Sequence, residues 1–139
     1  MDYAEYRKSF FAEPAPEPRF DYEGLNGITL FFEEFEAAVE YYSRVFGPPA
    51  YVEGAGTRGW RIGNTWLTLL KGRNGTPQNV ELSLVMKDAI EAERLQAAFI
   101  KAGGSGPEPS DQLMYEPVHL CPISDPFGTQ ILIVSPPKE

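Results

Sequence analysis

Gly27-Ile28-Thr29-Leu30 and Glu81-Leu82-Ser83-Leu84 stand 54 positions apart, and each runs straight into a segment of helical spacing. Further on, Gly63-Asn64-Thr65-Trp66-Leu67-Thr68 matches Gly128-Thr129-Gln130-Ile131-Leu132-Ile133, a glycine turn feeding an apolar strand in both halves. Two matches in the same order point to duplicated modules, each of which must bury its apolar face against the other. That restricts the chain to two copies of one supersecondary unit.

Periodicity sets the element types inside each unit. Ile28, Leu30 and Phe32 alternate with Gly27, Thr29 and Phe31, as in a strand with two differently used faces. Phe35, Ala38, Val39, Tyr42 and Phe46 follow as one apolar helical stripe with Glu36 and Glu40 opposite, and Gly47-Pro48-Pro49 stops the helix. Tyr51-Val52-Glu53, Trp60-Arg61-Ile62 and Trp66 to Leu70 read as three short antiparallel strands, joined by a glycine-rich turn over Gly54 to Gly59 and by Gly63-Asn64-Thr65. Arg73-Asn74-Gly75-Thr76-Pro77 is a turn cluster. The second unit opens with a strand over Glu81 to Met86. Asp88, with Glu91 three residues on, has the form of a capping box before a helix lined by Ala92, Leu95, Phe99 and Ala102 and ended by Gly103-Gly104. Strands near Gln112 to Tyr115, Val118 to Ile123 and Gln130 to Val134 complete it, with a turn at Asp125-Pro126-Phe127-Gly128. The order strand, helix, three strands occurs twice.

A 139-residue chain removes roughly two-thirds of its unfolded surface from water as one domain, so no disulfide or metal is required to hold it. Cys121, the single cysteine, has no intrachain partner. The formal charge of -8 and 12 scattered basic residues argue against a nucleic-acid partner. No apolar run reaches the roughly 20 residues of a membrane span or forms a signal peptide's core, so a soluble cytoplasmic protein without a membrane partner is expected. Residues 1 to 24 stand apart. Pro14, Pro16 and Pro18 suit an extended arm, and Tyr3, Tyr6 and Phe10 recur at helical spacing ahead of it, either as a short amphipathic helix docked on the body or on a second subunit, or as a frayed terminus. The expected organisation is an arm over 1–24 and a single domain over 25–139, with modules about 25–72 and 79–136.

The ending Tyr41-Tyr42-Ser43-Arg44-Val45-Phe46-Gly47 resembles the first helix of the vicinal oxygen chelate superfamily, which includes the glyoxalase, bleomycin resistance and dioxygenase proteins. Asp125-Pro126-Phe127-Gly128-Thr129-Gln130-Ile131-Leu132 resembles that superfamily's final turn and strand. The resemblance spans about residues 25 to 136. It implies an α+β fold of two βαβββ modules forming a curved mixed sheet with helices on the convex face. It also implies a homodimer, since the superfamily completes its cup between modules of one chain or of two.

Metal-dependent members of that superfamily place His or Glu ligands at the start of each module's first strand and in each module's last strand. Carried over, those positions are Gly27, a site at or beside Leu67, Glu81 and Leu132, of which only Glu81 is a ligand type. One carboxylate leaves a transition metal mostly solvated, so neither a metal nor any other cofactor is expected. His119 falls outside those slots, either as a satisfied strand residue or as a hydrogen-bonding group of the pocket. A Cys121–His119 nucleophile pair is the weaker option, and Cys121 reads as a small core residue.

Reading the strand faces from alternation, the concave side receives Thr29, Phe31, Leu67, Leu69, Glu81, Ser83, Leu132 and Val134, with Trp60, Tyr115 and His119 at its rim. Phe31, Leu67 and Leu132 either shape a pocket or simply fill it as core. An apolar cup with one acid suits a small hydrophobic or cationic aromatic ligand, and the rings of Phe31, Trp60 and Tyr115 add cation-π attraction if they face it. Two functional classes follow: a metal-independent binding protein, or a lyase, isomerase or oxygenase with atypical metal ligands or Glu81 as general base.

Overall fold

The computed structural model describes residues 1–19, 27–73, 80–113 and 115–138. Helix α1 (Tyr3–Phe10) precedes the first module, made of β1 (Gly27–Phe32), α2 (Phe35–Phe46), β2 (Tyr51–Glu53), β3 (Thr57–Ile62) and β4 (Thr65–Lys71). The second module repeats the order with β5 (Glu81–Val85), α3 (Ala89–Lys101), β6 (Ser110–Leu113), β7 (Pro117–Ser124) and β8 (Gln130–Ser135). The sheets have matching topology, β1-β4-β3-β2 and β5-β8-β7-β6, each with one parallel pair (β1 with β4, β5 with β8) and two antiparallel pairs. The fold is therefore α+β, two βαβββ units, as the repeat requires.

Local chemistry sets both long helices. Gly47 takes φ +85° after α2 and donates its N–H to the Ser43 carbonyl, a left-handed conformation that glycine adopts without a Cβ penalty. Asp88 caps α3 by accepting the Glu91 N–H at 2.9 Å. Each helix lays its apolar face on its own sheet, and the two helices meet in one core. Leu30, Leu69 and Trp60 of the first sheet, Leu84, Ile131 and Ile133 of the second, and Tyr41, Tyr42 and Phe99 of the helices belong to the same buried cluster.

Polar ties cross the module boundary inside that core. The Tyr42 hydroxyl donates to Asp125 Oδ2 at 2.6 Å, and the Tyr41 hydroxyl donates to the Phe99 carbonyl at 3.1 Å. Asp125 Oδ1 accepts the N–H groups of Phe127 and Thr129, which fixes the turn before β8. Burial, and then the Asp125 charge, push the Tyr41 phenol up to about 12 and the Tyr42 phenol well above its ordinary value. Both stay neutral donors.

The strands differ from the sequence expectation at their ends. β3 begins at Thr57, so the turn before it is confined to Gly54-Ala55-Gly56. β6 runs from Ser110 to Leu113 and stops short of Tyr115. The expected turn over 74–77 and the arm-to-domain boundary at 24/25 lie outside the described residues.

Candidate functional site

Strand register decides which side chains share a face. In the parallel β1–β4 pair, Ile28 lies beside Leu67 and Leu30 beside Leu69 on the helix-packed face, whereas Thr29 lies beside Thr68 and Phe31 beside Leu70 on the opposite, open face. Trp60 pairs with Leu67 and Arg61 with Trp66, so Trp60 also faces the helices. In the second sheet Glu81 pairs with Gln130, Ser83 with Leu132 and Val85 with Val134, all on the open face. Phe31, Glu81, Ser83 and Leu132 therefore share the open side.

Trp60, Leu67 and Leu69 do not. All three are core residues, and the Trp60 indole N–H is spent on the Gly47 carbonyl at 2.8 Å. The register of β4 is the cause. Aligning the modules on their glycine turns makes Leu67 the counterpart of Leu132, but Gly63-Asn64 is a tighter connection than Asp125 to Thr129. The pairings Thr29–Thr68 and Ser83–Leu132 make Thr68 the true counterpart. A one-residue slip moves every side chain of a strand to the other face. Trp66, Thr68 and Leu70 thus take the open-face places expected for leucines, and the Arg61 guanidinium lies 4.9 Å from the Trp66 ring centroid.

Tyr115 and His119 leave the rim as well. Tyr115 is exposed and meets the N-terminal arm: its carbonyl accepts the Tyr3 hydroxyl, and its ring stands edge-on to Phe11 at 6.5 Å. His119 is buried on the helix-packed side of β7, with Nδ1 2.7 Å from Asp111 Oδ1 and Nε2 2.8 Å from Glu93 Oε2. Both ring nitrogens are engaged, so the ring has no free base for a neighbouring thiol. The Cys121 thiol is pushed up by burial and then by the Glu93 charge, and is a core group.

Of the positions that the resemblance marks for metal ligands, register puts Thr68 in place of Leu67 as the counterpart of Leu132, so the set to be tested is Gly27, Thr68, Glu81 and Leu132. At Gly27 a Cβ would run into the Trp66 carbonyl, so the backbone there has no room for a ligand side chain. Leu132 is apolar and Thr68 offers a neutral hydroxyl, which leaves the exposed carboxylate of Glu81 as the only anionic donor of the set. Among the described residues no three His, Cys, Asp or Glu side chains converge as a metal ion needs. This donor set does not fit a catalytic divalent ion.

Between the modules a cavity of about 140 Å3 opens where Ile28, Trp66 and Leu67 face Leu82, Ser83 and Leu84. Leu67, although turned to the helices, reaches this seam from within the core.

No family model and no curated protein sequence matches the chain. Solved structures do. A glyoxalase/bleomycin resistance protein from Albidiferax ferrireducens aligns with a TM-score of 0.67 over 81% of this chain and 98% of its own, at 16% identity. The chain has the glyoxalase/bleomycin resistance/dioxygenase fold. Other proteins of this fold that align with it include the fosfomycin resistance protein from Mesorhizobium loti (TM-score 0.65, 15% identity, 84% of this chain and 95% of that one). The lactoylglutathione lyase from Agrobacterium tumefaciens aligns similarly (TM-score 0.64, 14% identity, 83% and 95%). Identities this low establish the glyoxalase/bleomycin resistance/dioxygenase architecture and leave the chemistry to the residues of the site.

Proposed function

We propose that this protein binds a small hydrophobic, preferably cationic aromatic molecule without a metal, on the open face of its sheets at the seam between the modules. The observation that carries this reading is the make-up of that face. Phe31 is 50% and Val85 76% exposed, although both sit in regular strands, and the seam between the modules is lined by aliphatic side chains and the Trp66 ring. Ligand sites are mostly apolar and aromatic with few polar groups, and Ser83, Thr68 and Gln130 supply those groups here. Glu81, exposed beside Gln130, supplies a negative charge, and Trp66 already holds a cation of its own chain over its ring.

The fold neighbours include a lyase, and an enzymatic reading would make Glu81 the general base. Register sets Gln130, a neutral amide, beside it, and His119 is on the other face. That arrangement supports binding over proton transfer. Assembly as a homodimer is part of the proposal, with the apolar side of α1, none of whose residues is fully buried by the described residues, set against the second subunit.

A thermal-shift screen of hydrophobic cations, followed by calorimetric titration of the best ligand, tests the reading. Glu81→Gln should weaken that ligand at least about tenfold, and Phe31→Ala by a similar factor, with melting temperatures unchanged. Equal affinity in wild type and Glu81→Gln, or no binding by any cationic hydrophobe, overturns it.

A further inference from the structure

His119 is the only histidine of the chain, it is 5% exposed, and carboxylates from two neighbouring elements meet its ring. It lies on β7. Its Nδ1 meets Asp111 of the neighbouring edge strand β6, its Nε2 meets Glu93 of α3, and Lys138 of the C-terminal tail reaches the same Glu93 oxygen at 3.3 Å. A neutral imidazole has one N–H and one lone pair, so it satisfies one carboxylate and turns a lone pair on the other. Only the imidazolium donates to both. The hydrogen bond to Asp111 raises the histidine pKa, burial opposes it, and Glu93 adds to the rise, with a net value above the ordinary one. Glu93 is held below its usual range by His119 first and Lys138 next. Cys121, the other titratable group nearby on β7, has its thiol pushed up and stays neutral.

The two carboxylates are not held equally. Glu93 stands on a thirteen-residue helix packed on the core and is braced by Lys138. The Asp111 side chain is 60% exposed on a four-residue strand whose first three residues are all exposed and which, among the described residues, pairs with β7 alone. Two residues beyond that strand, Tyr115 holds the arm through Tyr3 and Phe11.

We propose that the His119 imidazolium is a pH-sensitive latch that holds edge strand β6, and through Tyr115 the N-terminal arm, against the second sheet. Loss of the ring proton leaves one N–H between two carboxylates, and the less anchored Asp111 side gives way. The sign follows from linkage. A histidine whose folded pKa lies above its ordinary value of about 6.5 contributes its full stabilisation below that value and loses it as pH rises through the folded pKa. The lowered Glu93 pKa works at the other end, with its contribution lost as pH falls through its folded value. The latch is closed between those limits and opens on the alkaline side.

The test is amide hydrogen exchange on the full-length protein across the pH range in which the His119 ring signals titrate, corrected for intrinsic exchange. Protection of the β6 amides and their β7 partners should fall at least about tenfold with the same midpoint as the ring, while β5 and β8 amides keep theirs. Contacts between Phe11 and Tyr115 in nuclear Overhauser spectra should disappear in step. His119→Gln should abolish the pH step. Asp111→Asn, at a mostly exposed side chain, should lower the ring's midpoint and flatten the step, because the neutral ring then donates to Glu93 and accepts from the asparagine amide. Constant β6 protection through the ring titration, a ring that titrates at or below its ordinary value, or an unmoved step in Asp111→Asn overturns the latch. Arm contacts that survive β6 release overturn its extension to the arm.

Discussion

The bond between Tyr42 and Asp125 joins residues 83 positions apart, and it shows what a single polar atom does in this core. Asp125 is a buried carboxylate with one oxygen on two backbone N–H groups and the other on the Tyr42 hydroxyl. Tyr42→Phe removes that donor without altering the ring, so it should cost about 1.5–3 kcal/mol, the range for a hydrogen bond to a charged group, read as a lower urea midpoint at unchanged slope. The sequence shows Tyr42 as part of an apolar stripe and Asp125 as a turn former. Their partnership is invisible there because it depends on how the modules dock. The same limit governs the open face. Phe31, Glu81, Ser83 and Leu132 follow from alternation within their own strands. β4 has large apolar residues on both faces, Trp66 and Leu70 against Leu67 and Leu69, so alternation has no preference there and only pairing with β1 decides. At the ligand slots, purified protein should carry no stoichiometric zinc, nickel, iron or manganese, and a chelator should leave its melting temperature unchanged. About one metal per chain, bound through Glu81, would reverse the reading.

Helix ends were legible because their causes are local: a glycine that accepts positive φ after α2, and an aspartate whose carboxylate meets the third N–H of α3. Asp88→Ala should therefore destabilise the protein by about 0.5–2 kcal/mol in denaturant titration, the usual cost of an N-cap. Strand ends are set by neighbours instead. β3 gains Thr57-Arg58-Gly59 because β4 supplies partners as far as Leu70, and β6 ends at Leu113 because its pairing with β7 stops at Pro117. α1 is a third case. It has a complete capping box from Asp2 and Glu5, yet none of its residues is fully buried by the described residues, and it is hooked to the chain at Tyr115. Its own module packing does not depend on it. Deleting residues 1–19 should shift the melting temperature by no more than about 3 °C in dilute solution. Sedimentation at micromolar concentration should show a dimer for the full chain and a weakened one for the deletion. A monomer at all such concentrations removes the homodimer from the proposal.

One buried cluster runs through both modules, and this makes the repeat a single folding unit instead of two. Separating the halves would uncover Tyr41 from Phe99 and Tyr42 from Asp125, and would leave the last with a buried charge missing a donor. Neither half has a way to unfold while the other keeps its core, so the transition should be cooperative and all-or-none. The chain carries its own probes for this. Both tryptophans, Trp60 and Trp66, lie in the first module, and the only cysteine, Cys121, is fully buried in the second. In urea, the midpoint of tryptophan fluorescence should coincide with that for exposure of the Cys121 thiol to a thiol reagent, and both with far-ultraviolet circular dichroism. A core mutation in one module should then move all three curves together: Leu69→Ala, at a fully buried side chain of the first module, should lower them equally by about 2–5 kcal/mol. If thiol exposure keeps the wild-type midpoint while fluorescence shifts, the modules are separable and the shared cluster does not couple them.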